Sequence, residues 1–290
     1  MIRRLASALA FFISLNFCAT PAPADQGYRL TAYAWNADSV LDAASAPDYW
    51  DTLFSQHISR LLLSFNGAQL RALVPGGLLR PRLDTFLQQA ASHGVEVNAL
   101  LGEPSWILPE HRSDLVAIVT SLRDIAFSGI ELDMEPNQLN EPGLTAQGGL
   151  KQMVASAAAA AHAAAVPVGV SVNLKYLEMP MSPCLPCALQ SAGVTHVTIM
   201  AYITNPDRVA WRVIPVISAN PDVSFSIAQS VEPELSSSES YAKDTRTEFL
   251  SSMARLSFLV NRRNFSGVVV QSYDDYVKLA FPGQSQPVLR

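Results

Sequence analysis

The chain has 290 residues, of which 49% are hydrophobic and 16% charged, and its formal net charge is −5. That is ample for one large core. The acidic balance argues against nucleic acid or an anionic membrane as the main partner.

Residues 1–24 have the form of a secretory signal peptide. Arg3 and Arg4 make a positive start, Leu5 to Phe17 an apolar run, and Ala22-Pro23-Ala24 a small-x-small cleavage site before Asp25. The apolar run is too short to span a bilayer, and no later stretch reaches about 18 uncharged apolar residues. Lipidation at Cys18 is the alternative, but Phe17 before it is too large for the usual site. The expected product is exported, periplasmic or secreted, and free of the membrane after cleavage.

From Arg29 onward, short β-branched runs alternate with longer helical patterns. The expected strands are Arg29–Trp35, Ser59–Phe65, Val95–Leu101, Gly129–Glu135, Pro167–Asn173, His196–Tyr202, Val223–Gln229 and Gly267–Ser272. The clearest helical segments between them are Asp48–His57, Leu83–His93, Ser113–Ala126, Leu150–Ala165 and Tyr241–Asn261. Gly94 supplies a glycine stop after His93, the alanine-dense Ala155–Ala165 favours helix, and Asp207 and Ser240 suit helix N-caps. The span Asp207–Asn220 resists a single helix because it holds Pro215 and Trp211 and adjoins Pro206. Strand–helix alternation implies parallel βαβ units. Eight strands over this length predict an α/β fold, one (β/α)8 barrel over residues 25–290, with an open doubly wound sheet as the alternative.

In such a barrel, functional groups stand at the carboxyl ends of strands. Those positions here include Tyr33, Trp35, Asn36, Asn66, Glu103, Trp106, Asp133, Glu135, Asn173, Tyr202, Gln229, Glu232, Gln271 and Tyr273. Carboxylates, amides and rings are the usual components of a sugar site. Trp35, Trp106 and Tyr273 are placed either to stack on sugar rings or to pack in the core.

The segment Ser128-Gly-Ile-Glu-Leu-Asp-Met-Glu135 carries the chemistry. Alternation puts Glu131, Asp133 and Glu135 on one strand face and Ile130, Leu132 and Met134 on the other. In a barrel the apolar set meets the helices and the acidic set points inward. Buried carboxylates are costly unless paired or protonated, and like charges this close push at least one pKa upward. A carboxylic acid kept protonated in this way can deliver a proton to a leaving oxygen. An edge strand with a solvated acidic face fits poorly between two helical patterns.

This segment resembles the Asp-Gly-x-Asp-x-Asp-x-Glu signature of family 18 glycoside hydrolases, the chitinase-like (β/α)8 barrels. Thr198-Ile-Met-Ala-Tyr202 is similar to that family's Met-x-Tyr strand, and Gly267-Val-Val-Val-Gln-Ser-Tyr-Asp274 more loosely to its last strand. The resemblance implies Glu135 as proton donor and Asp133 as the group orienting a substrate N-acetyl nucleophile. It further implies Tyr202 as a hydrogen-bond donor to the developing charge, Met200 beside it at the sugar, and Glu131 as an inner carboxylate tuning Asp133. Ser128, Glu131 and Gln271 depart from the family's two aspartates and its last-strand tryptophan. The expected substrate is an oligo- or polysaccharide, β-linked and containing N-acetylhexosamine, cleaved without metal or organic cofactor.

Met134-Glu-Pro-Asn137 is also similar to the Asn-Glu-Pro-Asn of the large retaining clan of barrel glycosidases. There Glu135 is again the acid/base, and Glu232 would be the nucleophile. A chitinase-like carbohydrate-binding protein without catalysis is the rival from another class, but such relatives usually lose the acid that Glu135 retains. Lyase or isomerase chemistry would want a lysine at a strand end, where only Lys175 stands. Cys184 and Cys187, in a proline-rich loop, are expected to form a structural disulfide rather than a redox centre. His57, His93, His111, His162 and His196 have no metal-ligand spacing. Neither a Gly-x-Ser-x-Gly elbow nor a phosphate-cradling glycine loop is present.

Overall fold

A computed structural model describes residues 29–280 apart from Pro75 and Asn140. The expected signal peptide and Cys18 lie outside the described residues. Eight strands form: β1 (Leu30–Ala34), β2 (Ile58–Ser64), β3 (Glu96–Leu101), β4 (Gly129–Leu132), β5 (Val168–Asn173), β6 (His196–Met200), β7 (Ser224–Ser230) and β8 (Phe265–Gln271). Each pairs in parallel with its neighbours in chain order, and β8 closes on β1, giving a (β/α)8 barrel. The doubly wound alternative is excluded by that closure.

All eight expected strands are present, with ends shifted by up to three residues. The largest shift is at β4, which stops at Leu132 rather than Glu135. Asp133 N–H still donates to Leu101 O at 2.9 Å. Pro136 has no N–H to offer a ladder and opens a 3₁₀ turn, Pro136–Gln138, instead.

The five clearest helical segments appear as helices Tyr49–Ser55, Arg80–Ser92, Arg112–Ser121, Ala146–Ala163 and Arg246–Val260. Pro206–Ala219 is a single helix in spite of Pro215, contrary to expectation. Pro206 sits in the first turn, where a missing N–H costs nothing, and Asn205 caps it. Val209, Ala210, Val213 and Ile217 bury one stripe of this helix, and that packing outweighs the local cost of Pro215. The two expected caps also move. Asn205 rather than Asp207 caps this helix, and Thr245 rather than Ser240 caps the next, forming a reciprocal capping box with Glu248. Gly94, at φ 70°, ends Arg80–Ser92 as expected.

Alternation along the strands divides the barrel into two apolar regions. One face of each strand, including Leu61, Leu63, Ile130, Leu132, Val170 and Ile199, joins the helices in one large buried cluster. The other face points inward, where Tyr33, Leu62, Leu100, Met200, Ala228 and Val269 form a separate cluster with Tyr202 packed against it. That inner cluster is the floor on which the residues at the carboxyl-terminal mouth rest.

Candidate active site

Strand β4 sends Ile130, Leu132 and Met134 outward into the large cluster, 2%, 0% and 0% exposed. Period-two alternation therefore directs Glu131, Asp133 and Glu135 inward, at rising height toward the mouth. Glu131 is the deepest, 2% exposed. Ser171 Oγ donates to its Oε1 at 2.8 Å, and the Tyr33 hydroxyl stands 2.6 Å from Ser171 Oγ. A Cβ at Gly169 would fall 2.2 Å from Glu131 Oε2, so glycine is what makes room for this carboxyl. Burial pushes Glu131 up to about 7, against the Ser171 and Thr198 hydroxyls and the Arg60 charge, which all favour ionisation.

Asp133 is pushed up to about 7 as well, by burial first and then by the charges of Glu135 and Glu131. Its Oδ1 is buried without a hydrogen-bond partner. A buried acceptor left unmatched costs about 1–3 kcal/mol, which a substrate N–H would recover. Glu135 is half-buried at the mouth, and burial raises its pKa from the ordinary glutamate value. Gln138 Nε2 donates to Glu135 Oε1 at 2.7 Å, and the Lys175 charge acts in the same direction, toward ionisation. Across the barrel, burial and then the charges of Asp133, Glu232 and Glu135 hold Tyr202 protonated. Asp133 thus feels both neighbouring acids, and Tyr202 feels Asp133, Glu135 and Glu232, which ties these side chains into one site.

Trp35 stacks on Tyr33, centroids 5.7 Å apart and planes within 5°, and is 37% exposed. Its ring edge and Asp133 Cβ lie 3.5 and 3.7 Å from the point a Gly102 Cβ would occupy. Trp35 and Asp133 thus stand close together beside Gly102. Met200 belongs to the floor, 5% exposed. At the end of β7, Glu232 accepts from Ser230 Oγ at 3.1 Å and from Gln271 Nε2 at 3.2 Å. Gln271 keeps a buried Oε1 without a partner.

Other strand-end residues have structural tasks. Asn36, Asn66, Glu103 and Asn173 each cap a short helix, Asn173 by accepting from Lys175 N at 3.1 Å. Trp106 and Tyr273, 9% and 7% exposed, pack in the large outer cluster and offer little ring face to a sugar. Gln229 is fully buried and spends its amide on the Ala201 and Ala228 carbonyls. Cys184 and Cys187 are disulfide-bonded. Cys184 caps the helix Leu185–Ser191, so the pair opens a helix and does not lie within a loop. Among the described residues no His, Cys, Asp and Glu group is arranged to hold a metal, and no helix is long and apolar enough to cross a membrane.

Ser171, Thr198, Gly169, Gly102 and Gln138 escape the sequence reading. Ser171 was open to detection, because Val168-Gly-Val-Ser-Val-Asn173 alternates as β4 does and places Gly169, Ser171 and Asn173 on the inner face.

No protein-family model and no curated protein matches the chain. Solved structures do match it. A chitinase from Bacteroides thetaiotaomicron is similar with a TM-score of 0.57 at 10% identity, over 86% of this chain and 90% of that one. The catalytic domain of a β-amylase from Paenibacillus polymyxa follows at 0.53 and 8% identity, over 86% and 93%. An N-acetylneuraminate lyase from Mycoplasma synoviae reaches 0.51 at 10% identity, over 86% and 70%. At such identities these likenesses establish the barrel fold and leave the chemistry to the site.

Proposed function

We propose that the protein is an exported glycoside hydrolase that cleaves a β-linked polysaccharide containing N-acetylhexosamine, with Glu135 as its proton donor. One observation carries this reading: Glu131, Asp133 and Glu135 rise along a single inward strand face toward the mouth, with Tyr202 coupled to them from β6. Burial shifts the Glu135 carboxyl upward, toward the acid form that a general acid requires.

The protonated Glu135 gives its proton to the glycosidic oxygen as the C1–O bond breaks. The substrate's acetamido oxygen bonds to C1, while Asp133, with its unmatched Oδ1, holds the acetamido N–H. Tyr202 donates to the oxygen on which charge collects. Glu135, now ionised, takes a proton from the water that reopens the ring, and the site returns to its first state. Glu131 carries no reacting proton. It lies beneath Asp133 and raises that carboxyl's pKa by its charge.

The scheme is tested with N-acetylated and de-N-acetylated oligosaccharides of one chain length, given to the wild type and to Glu135→Gln. The expected result is cleavage of the acetylated series alone, lost in the variant with binding retained. Equal turnover by both proteins contradicts the scheme. A retaining mechanism with Glu232 as nucleophile is the second reading, supported by the position of that carboxylate at the end of β7 and its electrostatic action on Tyr202. In that case Glu232→Ala rescued by azide yields a glycosyl azide, whereas ordinary activity of this variant excludes it.

A further inference from the structure

The barrel interior is open at its amino-terminal end. Interiors of this fold are usually filled by layers of bulky branched side chains. Here the inward positions of the lower half include Thr31, Asn98, Gly169, Thr198 and Ser226, which enclose a cavity of about 460 Å³. That volume lies within the range of ligand sites, roughly 300–1,000 Å³. The cavity reaches solvent past the exposed Ser128, Thr195 and Ser266, and Glu131 forms part of its upper wall.

The lining carries many polar side chains, and two of its charged groups, Arg60 and Glu96, offset each other. Arg60 bonds the Glu96 carboxylate at the rim. His196 is held neutral, its pKa pushed down to about 4 by burial and by the Arg60 charge. Its Nδ1 lies 3.1 Å from Ser224 Oγ, which in turn bonds Ser266 Oγ. Within the lining, Asn98 Oδ1 is buried with no hydrogen-bond partner. A hydrophobic ligand would leave these groups unmatched, and with Glu131, pushed up to about 7, in its acid form, an ion would meet no uncompensated opposite charge. Hydroxyl groups, which both donate and accept, match a wall of Ser, Thr, Asn and Glu side chains.

We propose that this amino-terminal lumen is a second binding site, for a small neutral polyhydroxy compound of monosaccharide or polyol size. It opens at the opposite end of the barrel from the acidic mouth and meets that site only at Glu131, and its test does not rely on catalysis. Sorbitol and glucose serve as neutral probes, with gluconate and glucosamine as their charged counterparts, in saturation-transfer NMR on the full chain at a pH below the Glu131 value of about 7. The neutral probes are expected to bind in preference to the charged ones. Ser226→Leu, which fills the lumen, is expected to weaken them at least about tenfold, the equivalent of one good hydrogen-bonded contact. Trp35→Ala, at the other mouth, is expected to leave them unchanged. Should Ser226→Leu fail to fold, the near-isosteric Thr31→Val and the amide shifts of Thr198 and Ser226 in the titrated wild type report on the same lumen. The proposal is overturned if the neutral probes do not bind, if charged probes bind equally well, or if Trp35→Ala abolishes binding that lumen variants keep.

Discussion

At the scale of single residues, environment separates three carboxyls of one strand into different roles. Glu131 is closed in by Ser171 and the Gly169 backbone, Asp133 has an unmatched oxygen, and Glu135 faces the mouth with Gln138 and Lys175 nearby. Proton donation needs the acid form of Glu135, so turnover should fall as pH rises through its elevated pKa. Gln138 and Lys175 favour the ionised form, and removing either raises that pKa further. Gln138→Ala and Lys175→Met should each move the alkaline limb of kcat to higher pH, by about half a unit to one unit for a loss near 1 kcal/mol. A limb that stays in place or moves down would detach it from Glu135. Tyr202→Phe keeps the ring on the inner cluster and removes the donor, so kcat should drop about 10²–10³-fold with KM little changed. A matching rise in KM would make Tyr202 a ground-state contact. The shared inward face of the three acids is legible in the sequence because period-two alternation needs no tertiary knowledge, whereas Tyr202 is marked by its place at a strand end and by a family resemblance. The inward setting of Ser171 and Gly169 is legible from the same alternation in β5, but their pairing with Glu131 is not, because it depends on the register of the neighbouring strand.

At the scale of elements, β4 and β5 work as a pair. β5 offers Gly169 where Glu131 needs space and Ser171 where it needs a donor, and Glu131 pairs in register with Gly169. Gly169→Ala would set a methyl 2.2 Å from Glu131 Oε2. The expected destabilisation is about 1–3 kcal/mol, as for other overpacked sites. In a Glu131→Ser background most of that cost should vanish, and a double-mutant cycle read by urea unfolding measures the coupling. Additive losses would mean that the methyl strikes something other than the carboxyl. Strand–helix order was read correctly from hydrophobic period alone. Pro206–Ala219 was misjudged because local proline chemistry was allowed to outweigh a stripe, Val209, Val213 and Ile217, that only the barrel wall makes visible.

At the scale of the whole molecule, the same buried acids tie stability to pH. Glu131 and Asp133 stand at about 7 in the fold against ordinary values of 4.5 and 3.8. Groups raised by folding contribute stability below their unfolded pKa and lose it as pH rises through the folded one. The window is therefore about pH 4 to 7. At about 1.4 kcal/mol per unit, each acid alone costs on the order of 3 to 4 kcal/mol once ionised. Glu131→Gln and Asp133→Asn should flatten the fall of Tm across that window, and parallel curves for wild type and variants would place the titration elsewhere. Closure into a barrel was legible from eight repeats. The open lumen was not, because it is the sum of small residues from many strands. The central claim is that Glu135 supplies the proton to the leaving group, and leaving-group dependence tests it most directly. Glu135→Gln should lose about 10³-fold or more in kcat on an unactivated oligosaccharide, the upper part of what general acid catalysis supplies, yet release dinitrophenolate from a dinitrophenyl glycoside in the first turnover at a rate near wild type, because that leaving group needs no proton. Equal losses on both substrates would contradict the assignment of Glu135 as acid.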